Sequence, residues 1–237
     1  TFGAKIIPGR GAWIELETDF DGTVYVRIDR KRKFPVTTLL RAFGVVSNEK
    51  ILALFGATPE AKHYIEKTLA KDHTTTIDEA SIEIHRRLRD GDLAAAENAR
   101  EFVKSIFDKE RYDLSRVGRF RFNNRFGIKE NAKEIERRTL SLNDLVLILS
   151  HIVHLNVTPG ENADDIDHLG SRRVRFVGEL FQQKIRVGMA QIKRNIQNRM
   201  STIDTDVTLP IQFISPKPLQ ARMKEFFTTN QLSQFMQ

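Results

Sequence analysis

Cysteine is absent from all 237 residues, which excludes disulfides and thiolate metal sites. That absence fits a reducing, intracellular setting. Tryptophan occurs once, so any role needing an indole falls on Trp13. No apolar run approaches the roughly 18 residues of a membrane span. The longest, 140–155, is interrupted by Ser141, Asn143, Asp144, Ser150, His151 and His154. No signal peptide opens the chain, which begins with Thr1 rather than Met and is expected to be processed, trimmed or part of something longer. There is no Gly-Lys-Ser/Thr phosphate loop and no Gly-x-Gly-x-x-Gly fingerprint. A Gly-x-Ser-x-Gly elbow is also missing, which leaves nucleophilic catalysis with little support.

What is present is a globular composition, 40% hydrophobic and 29% charged, too apolar for a disordered chain. Its length allows one large domain or two small ones. Lys and Arg number 38 against 31 Asp and Glu, a net +7 that points towards a polyanionic partner.

The first third opens with strands. Ala12 to Thr18 alternates, with Ile14 and Leu16 on one face and Trp13, Glu15 and Glu17 on the other. Val24, Val26 and Ile28 share one face of the next segment, and Asp19-Phe20-Asp21-Gly22 supplies an Asp-Gly turn between them. A β-hairpin is expected, with Trp13 left among charges. Helices follow. Pro35 marks a start and Gly44 an end; Ser47 caps a helix to Phe55; Thr58-Pro59 opens one to about Lys71. Thr76 to Glu79 spells a capping box before a helix to about Leu88. After an Asp90-Gly91 turn, a helix is expected over Leu93 to Phe107, packing through Leu93, Ala96, Phe102 and Phe107. Ser141 caps a helix over Leu142 to Leu155, ended by Thr158-Pro159-Gly160. From Val177 to Met200 apolar residues keep helical spacing, and a last helix runs to about Phe227. The fold class is α+β, with a boundary near Arg175 between a mixed region and a mostly helical one.

Asp19 and Asp21 could hold magnesium, but an Asp-Gly turn has the same letters and no third carboxylate follows. His151 and His154 lack a nearby third ligand, and packing or capping explains them better. The acidic loop around His168 lacks the ligand pattern of a calcium loop. No metal site is expected. The basic clusters are more informative. Arg30 to Lys33 is one. Arg111, Arg116, Arg119, Arg121 and Arg125 form another, interleaved with Tyr112, Phe120, Phe122 and Phe126. Residues 165–200 carry a third. Arginine binds phosphate bidentately and stacks on bases, so the three together favour nucleic acid.

The ordered motifs of the chain resemble the β subunit of bacterial RNA polymerase. Carrying the resemblance are Ile6-Ile7-Pro8 through Arg10-Gly11 and Trp13, Val26 to Lys33, Arg111 to Leu114 and Val117-Gly118-Arg119. The most specific stretch is Asp164 to Arg175, followed by Val177-Gly178-Glu179, Arg186-Val187-Gly188, Lys224 to Phe227 and Gln231 to Met236. The resemblance implies an internal fragment: a lobe over 1–175, the second half of the protrusion over 176–233, and the start of the fork region over 234–237. It implies a DNA-channel pincer that is not itself catalytic, in a cytoplasmic enzyme without a membrane segment. Partners would be DNA, the β′, α and ω subunits, a sigma factor and transcription factors. No cofactor is implied in this segment, since the magnesium of the parent enzyme is held by β′. A non-template-strand DNA pocket would fall on Trp13, Asp29, Arg30, Ile166, Asp167 and Arg172. Trp13 would stack on an unpaired base, and Asp167 would read the Watson–Crick edge of a flipped guanine. Gln231, Leu232, Ser233, Gln234, Phe235 and Met236 resemble part of the rifamycin-binding stretch, although Gln237 stands where the family usually has Asp. Ser171 replaces a usual Asn. The alternatives are a free-standing basic regulator that binds nucleic acid, and a small nuclease using Asp19 and Asp21.

Overall fold

A computed structural model describes residues 1–56, 59–89, 94–129, 136–170, 172–202 and 209–234. The chain divides into two compact units, Thr1–Ala163 and Asp164–Gln237.

Period-two alternation builds the start of the first unit. Strands β1 (Gly3–Ile6), β2 (Ile14–Thr18), β3 (Val24–Ile28) and β4 (Phe34–Pro35) form an antiparallel sheet in that order. In the central hairpin Ile14 pairs with Ile28, Leu16 with Val26 and Thr18 with Val24, so one face collects every aliphatic side chain. That face is fully buried. The opposite face carries the ion pairs Lys5–Glu15 at 3.4 Å and Arg27–Glu17 at 3.2 Å. The expected hairpin is present; the flanking strands β1 and β4 were not read from the sequence. Gly11 explains a close approach. Its φ is +122°, and a Cβ there would meet the Tyr112 ring at 2.8 Å. The main chain of Arg10 can thereby bridge that of Asp113, with hydrogen bonds of 3.1 and 2.8 Å.

Helices α1 (Val36–Ala42), α2 (Asn48–Leu54), α3 (Pro59–Lys71) and α4 (Ile77–Leu88) follow in the expected order, although Thr58, expected to open α3, lies outside the described residues. Ser47 caps α2, and Thr76 with Glu79 forms a capping box on α4. Next come α5 (Ala96–Ile106), α6 (Ser115–Arg125) and α7 (Leu142–Val157). On α7, Leu145, Ile148, Leu149, Ile152 and Val153 recur at helical spacing and join the sheet's aliphatic face in one core. On α5 the buried positions are Ala99 and Val103; Ala96, Phe102 and Phe107 are only half-buried, and the expected Asp90-Gly91 turn and Leu93 lie outside the described residues. Helix α6 was missed because four arginines, two asparagines and a glycine leave it no apolar stripe.

In the second unit α8 (Val177–Met200) is the long helix its periodicity predicts, followed by α9 (Pro210–Phe213) and α10 (Lys217–Thr228). Helices α8 and α10 pack through Phe181, whose ring lies 5.2 and 5.4 Å from those of Phe226 and Phe227. Lys184 donates to Glu225 at 2.7 Å beside them. No helix among the described residues is long and apolar enough to cross a membrane.

Candidate nucleic-acid interface

Trp13 stands one residue before β2, where the hairpin ladder ends. Its backbone N–H donates to the Asp29 carboxylate at 2.7 Å, and its carbonyl accepts from Asp29 N–H at 2.9 Å. Asp29 therefore positions Trp13, a role visible only once the strand register is known. Lys31 N–H donates to the Ile28 carbonyl at 3.0 Å, closing a turn whose central residues, Asp29 and Arg30, have φ of 49° and 60°. Both values are left-handed, as in a type I′ turn. Aspartate tolerates that conformation; arginine rarely adopts it. The strained turn sets the Arg30 guanidinium 5.2 Å from the Trp13 ring centroid. Trp13 stays 37% exposed. The result is a displayed indole with a cation beside it, just before the first residue of an inner strand.

Ile166, Asp167 and Arg172 lie in the second unit, on the segment before α8. Asp165 organises this loop, accepting from the N–H groups of Asp167 and His168, each at 3.1 Å. His168 Nδ1 accepts from Gly170 N–H at 3.0 Å. Arg172 reaches Asp167 at 3.4 Å, in a pair so exposed that it holds little energy. Ile166 is 74% exposed. Asp167 is thus presented to solvent by a loop that other residues shape. Ser171 lies outside the described residues.

The basic clusters do not share one fate. Arg119 leaves the candidate interface altogether: its side chain is 0% exposed, and it holds Asp144 through two hydrogen bonds of 2.8 and 2.9 Å. Tyr112 is likewise buried. Arg116, Arg121 and Arg125 remain exposed on α6 with Phe120, and Arg125 also lies 3.0 Å from His151 Nε2. His154 Nδ1 is 3.3 Å from the Thr158 hydroxyl at the end of α7. Arg172, Arg173 and Arg175 are exposed beside the acidic loop. At the C-terminus Gln231, Leu232 and Gln234 are exposed, whereas Ser233 is buried and donates its hydroxyl to the Phe226 carbonyl at 2.7 Å. Phe235, Met236 and Gln237 lie outside the described residues.

Comparison with known proteins agrees with this architecture. The model of the family RNA polymerase Rpb2, domain 2, matches residues 1–175. The chain belongs to this family. The DNA-directed RNA polymerase subunit beta of Syntrophomonas wolfei is 44% identical over 236 residues, 99% of this chain. That of Synechocystis sp. is 42% identical over 237 residues, 100% of this chain. Each match covers 21% of the relative, so the chain spans about a fifth of the β subunits it resembles. The likeness read from its motifs therefore holds across the whole sequence.

Within this Rpb2 domain 2 chain, the metal alternative has a concrete test. Asp19 accepts from Lys33 Nζ at 2.8 Å. Asp21 accepts from Lys71 and from Thr23 N–H, and the Lys71 hydrogen bond foremost holds its carboxyl far below the usual range. Gly22 has φ of +83° and its N–H donates to the Asp19 carbonyl at 3.0 Å, which makes the motif a hairpin turn. No group of three His, Asp or Glu residues is placed to hold a metal among the described residues.

Proposed function

We propose that this chain is a DNA-contacting part of a bacterial RNA polymerase β subunit. It would comprise a lobe over 1–175 and a protrusion segment over 176–233, with the fork beginning at 234. As one pincer of the DNA channel it guides downstream duplex and holds the unpaired non-template strand. The observation that carries the reading is the only tryptophan, held at the end of the β2–β3 ladder by Asp29 and flanked by the Arg30 guanidinium. An exposed indole beside a cation is what stacking on an unpaired base requires. In the second unit Asp167 offers a carboxylate, and an unpaired guanine alone among the bases presents adjacent Watson–Crick donors to one. Arg172 and Ile166 flank it in sequence.

The parent reaction is templated nucleotidyl transfer from nucleoside triphosphates with magnesium, carried out with β′, α, ω and a sigma factor. Magnesium belongs to β′ in this reading. The residues of this chain do not fit it, because Asp19 and Asp21 are each engaged by a lysine within a turn.

The test is made in assembled polymerase carrying this chain, with bubbles bearing each of the four bases in turn. Asp167→Ala is expected to erase a preference for guanine at one non-template position, a loss of about 1–3 kcal/mol of discrimination. Trp13→Ala lowers retention at a stacked position by roughly 1–3 kcal/mol without changing base preference elsewhere. Equal weakening of all four bases by Asp167→Ala would reduce Asp167 to a loop residue and refute the assignment.

A further inference from the structure

Helix α6 buries only two side chains in the first unit, and both are polar: Arg119 and Asn123. They stand one helical turn apart and share a face. Arg119 is answered there by the Asp144 carboxylate, at 2.8 and 2.9 Å. Asn123 is not answered. It is fully buried, and neither its Oδ1 nor its Nδ2 has a hydrogen-bond partner among the described residues. Turning the amide over would exchange two unpaired atoms and satisfy neither.

A second orphan lies within electrostatic reach of the same ion pair. The Tyr112 ring is fully buried, with Phe107 5.7 Å from it, and its hydroxyl also has no partner among the described residues. Burial first, and then the Asp144 charge, push the acidity of that hydroxyl above its usual pKa, so it stays protonated and able to donate. A buried amide or hydroxyl pays its full desolvation when nothing pairs with it, and folded proteins satisfy such groups with protein atoms or ordered water. The chemistry of the amide narrows the occupant. Oδ1 only accepts and Nδ2 only donates. A cation would satisfy the first alone, and an anion the second alone. Water does both, and it is small enough for a site whose side chains are wholly buried.

We propose that the first unit carries an internal water-binding site at Asn123, beside the Arg119–Asp144 pair, where water donates to Oδ1 and accepts from Nδ2. The Tyr112 hydroxyl is hydrated in the same way. The inference is independent of the DNA-contacting role. The test records laboratory-frame and rotating-frame Overhauser spectra between water and the Asn123 side-chain amide protons in the 237-residue chain. Cross-peaks of opposite sign in the two experiments are expected, the signature of a long-lived internal water. Asn198, which is exposed, serves as the comparison and should not give that pair. Tyr112→Phe keeps the ring and removes its exchangeable proton, so the Asn123 cross-peaks should persist in that variant. A crystal structure fine enough to show ordered waters gives a second readout, with density expected within hydrogen-bond distance of both amide atoms. Missing cross-peaks at Asn123 overturn the proposal. So does their loss in Tyr112→Phe, which would assign them to the hydroxyl, and so does an amide found dry or paired only with protein groups.

Discussion

Replacing Asp144 by asparagine keeps the shape of the side chain and removes one charge from the core. Both carboxylate oxygens are engaged. Oδ1 of Asp144 accepts from Arg119 at 2.9 Å and from Arg137 at 3.5 Å; Oδ2 accepts from Arg119 at 2.8 Å and from Ser141 N–H at 2.9 Å. An amide has one acceptor oxygen. In either orientation its NH2 faces two donors, so one arm of Arg119 and one further donor lose their bond to residue 144. Arg119 and Asp144 are fully buried, and Arg119 cannot reach water to compensate. Removing one member of a buried pair typically costs about 3–5 kcal/mol, because a charge is left behind. Asp144→Asn is expected to lose that much. The double variant Arg119→Met with Asp144→Leu removes both charges and should fall only about 1–2 kcal/mol below the parent, mostly through the lost cap on α7. Urea unfolding at pH 7 measures both, with Trp13 fluorescence reporting the first unit. A loss below about 1 kcal/mol for Asp144→Asn, or a double variant less stable than the single one, would refute the reasoning.

Three further outcomes rest on the same geometry. Burial pushes the Asp144 and Asp72 carboxyls up, but hydrogen bonds from Arg119 and Ser141 to the first, and from Thr37, Thr74 and Thr38 to the second, outweigh it and hold both below the ordinary value. Depressed carboxyls stabilise the fold above their unfolded value near about 4 and lose that contribution as pH falls through the folded values, so urea midpoints should hold from neutrality down to about pH 5 and then decline. A decline already complete at pH 6 would assign acid sensitivity to other groups. Gly11→Ala forces a side chain into a φ of +122° and against Tyr112, and should destabilise the first unit by about 1–3 kcal/mol in the same assay. Arg30→Gly relieves a strained φ but adds freedom to the unfolded chain, so stability should change by under about 1 kcal/mol while affinity for single-stranded DNA falls. Unchanged affinity at low salt would remove Arg30 from the interface.

Much of the fold was legible because the signals were local and agreed with one another. Alternation in Ile14, Leu16, Val24, Val26 and Ile28 gave the hairpin, and the same residues form its buried face. Capping residues gave the starts of α2, α4 and α7, since an N-cap satisfies N–H groups only a few residues away. Strands β1 and β4 were not legible. Four residues of half-exposed Gly-Ala-Lys-Ile, and a two-residue Phe-Pro strand, carry no period; pairing with β2 and β3 defines them. Arg119 was misplaced for a related reason. Composition alone makes an arginine among arginines look exposed, and the structure pairs it in the core with Asp144, twenty-five residues on.

The candidate interface divides along the same line. Around Trp13 the sequence supplied the residues and the structure supplied their causes: register brings Asp29 opposite Trp13, and a left-handed turn returns Arg30 to the indole. The acidic loop is different. Its letters carry the most specific resemblance; Asp165, His168 and Asp167 hydrogen-bond their neighbours in the segment, and Ile166, Leu169, Val174 and Phe176 are all exposed. Packing within the chain does not dictate an isoleucine or a leucine there. Aliphatic side chains held out beside a carboxylate and three arginines need a reason outside the core, and contact with a partner surface is the physical one. In the proposed reading a base edge presents donors for Asp167, and the adjoining sugar and ring present apolar surface for Ile166. Under that proposal the exposed apolar side chains of the loop are fitted to something it touches.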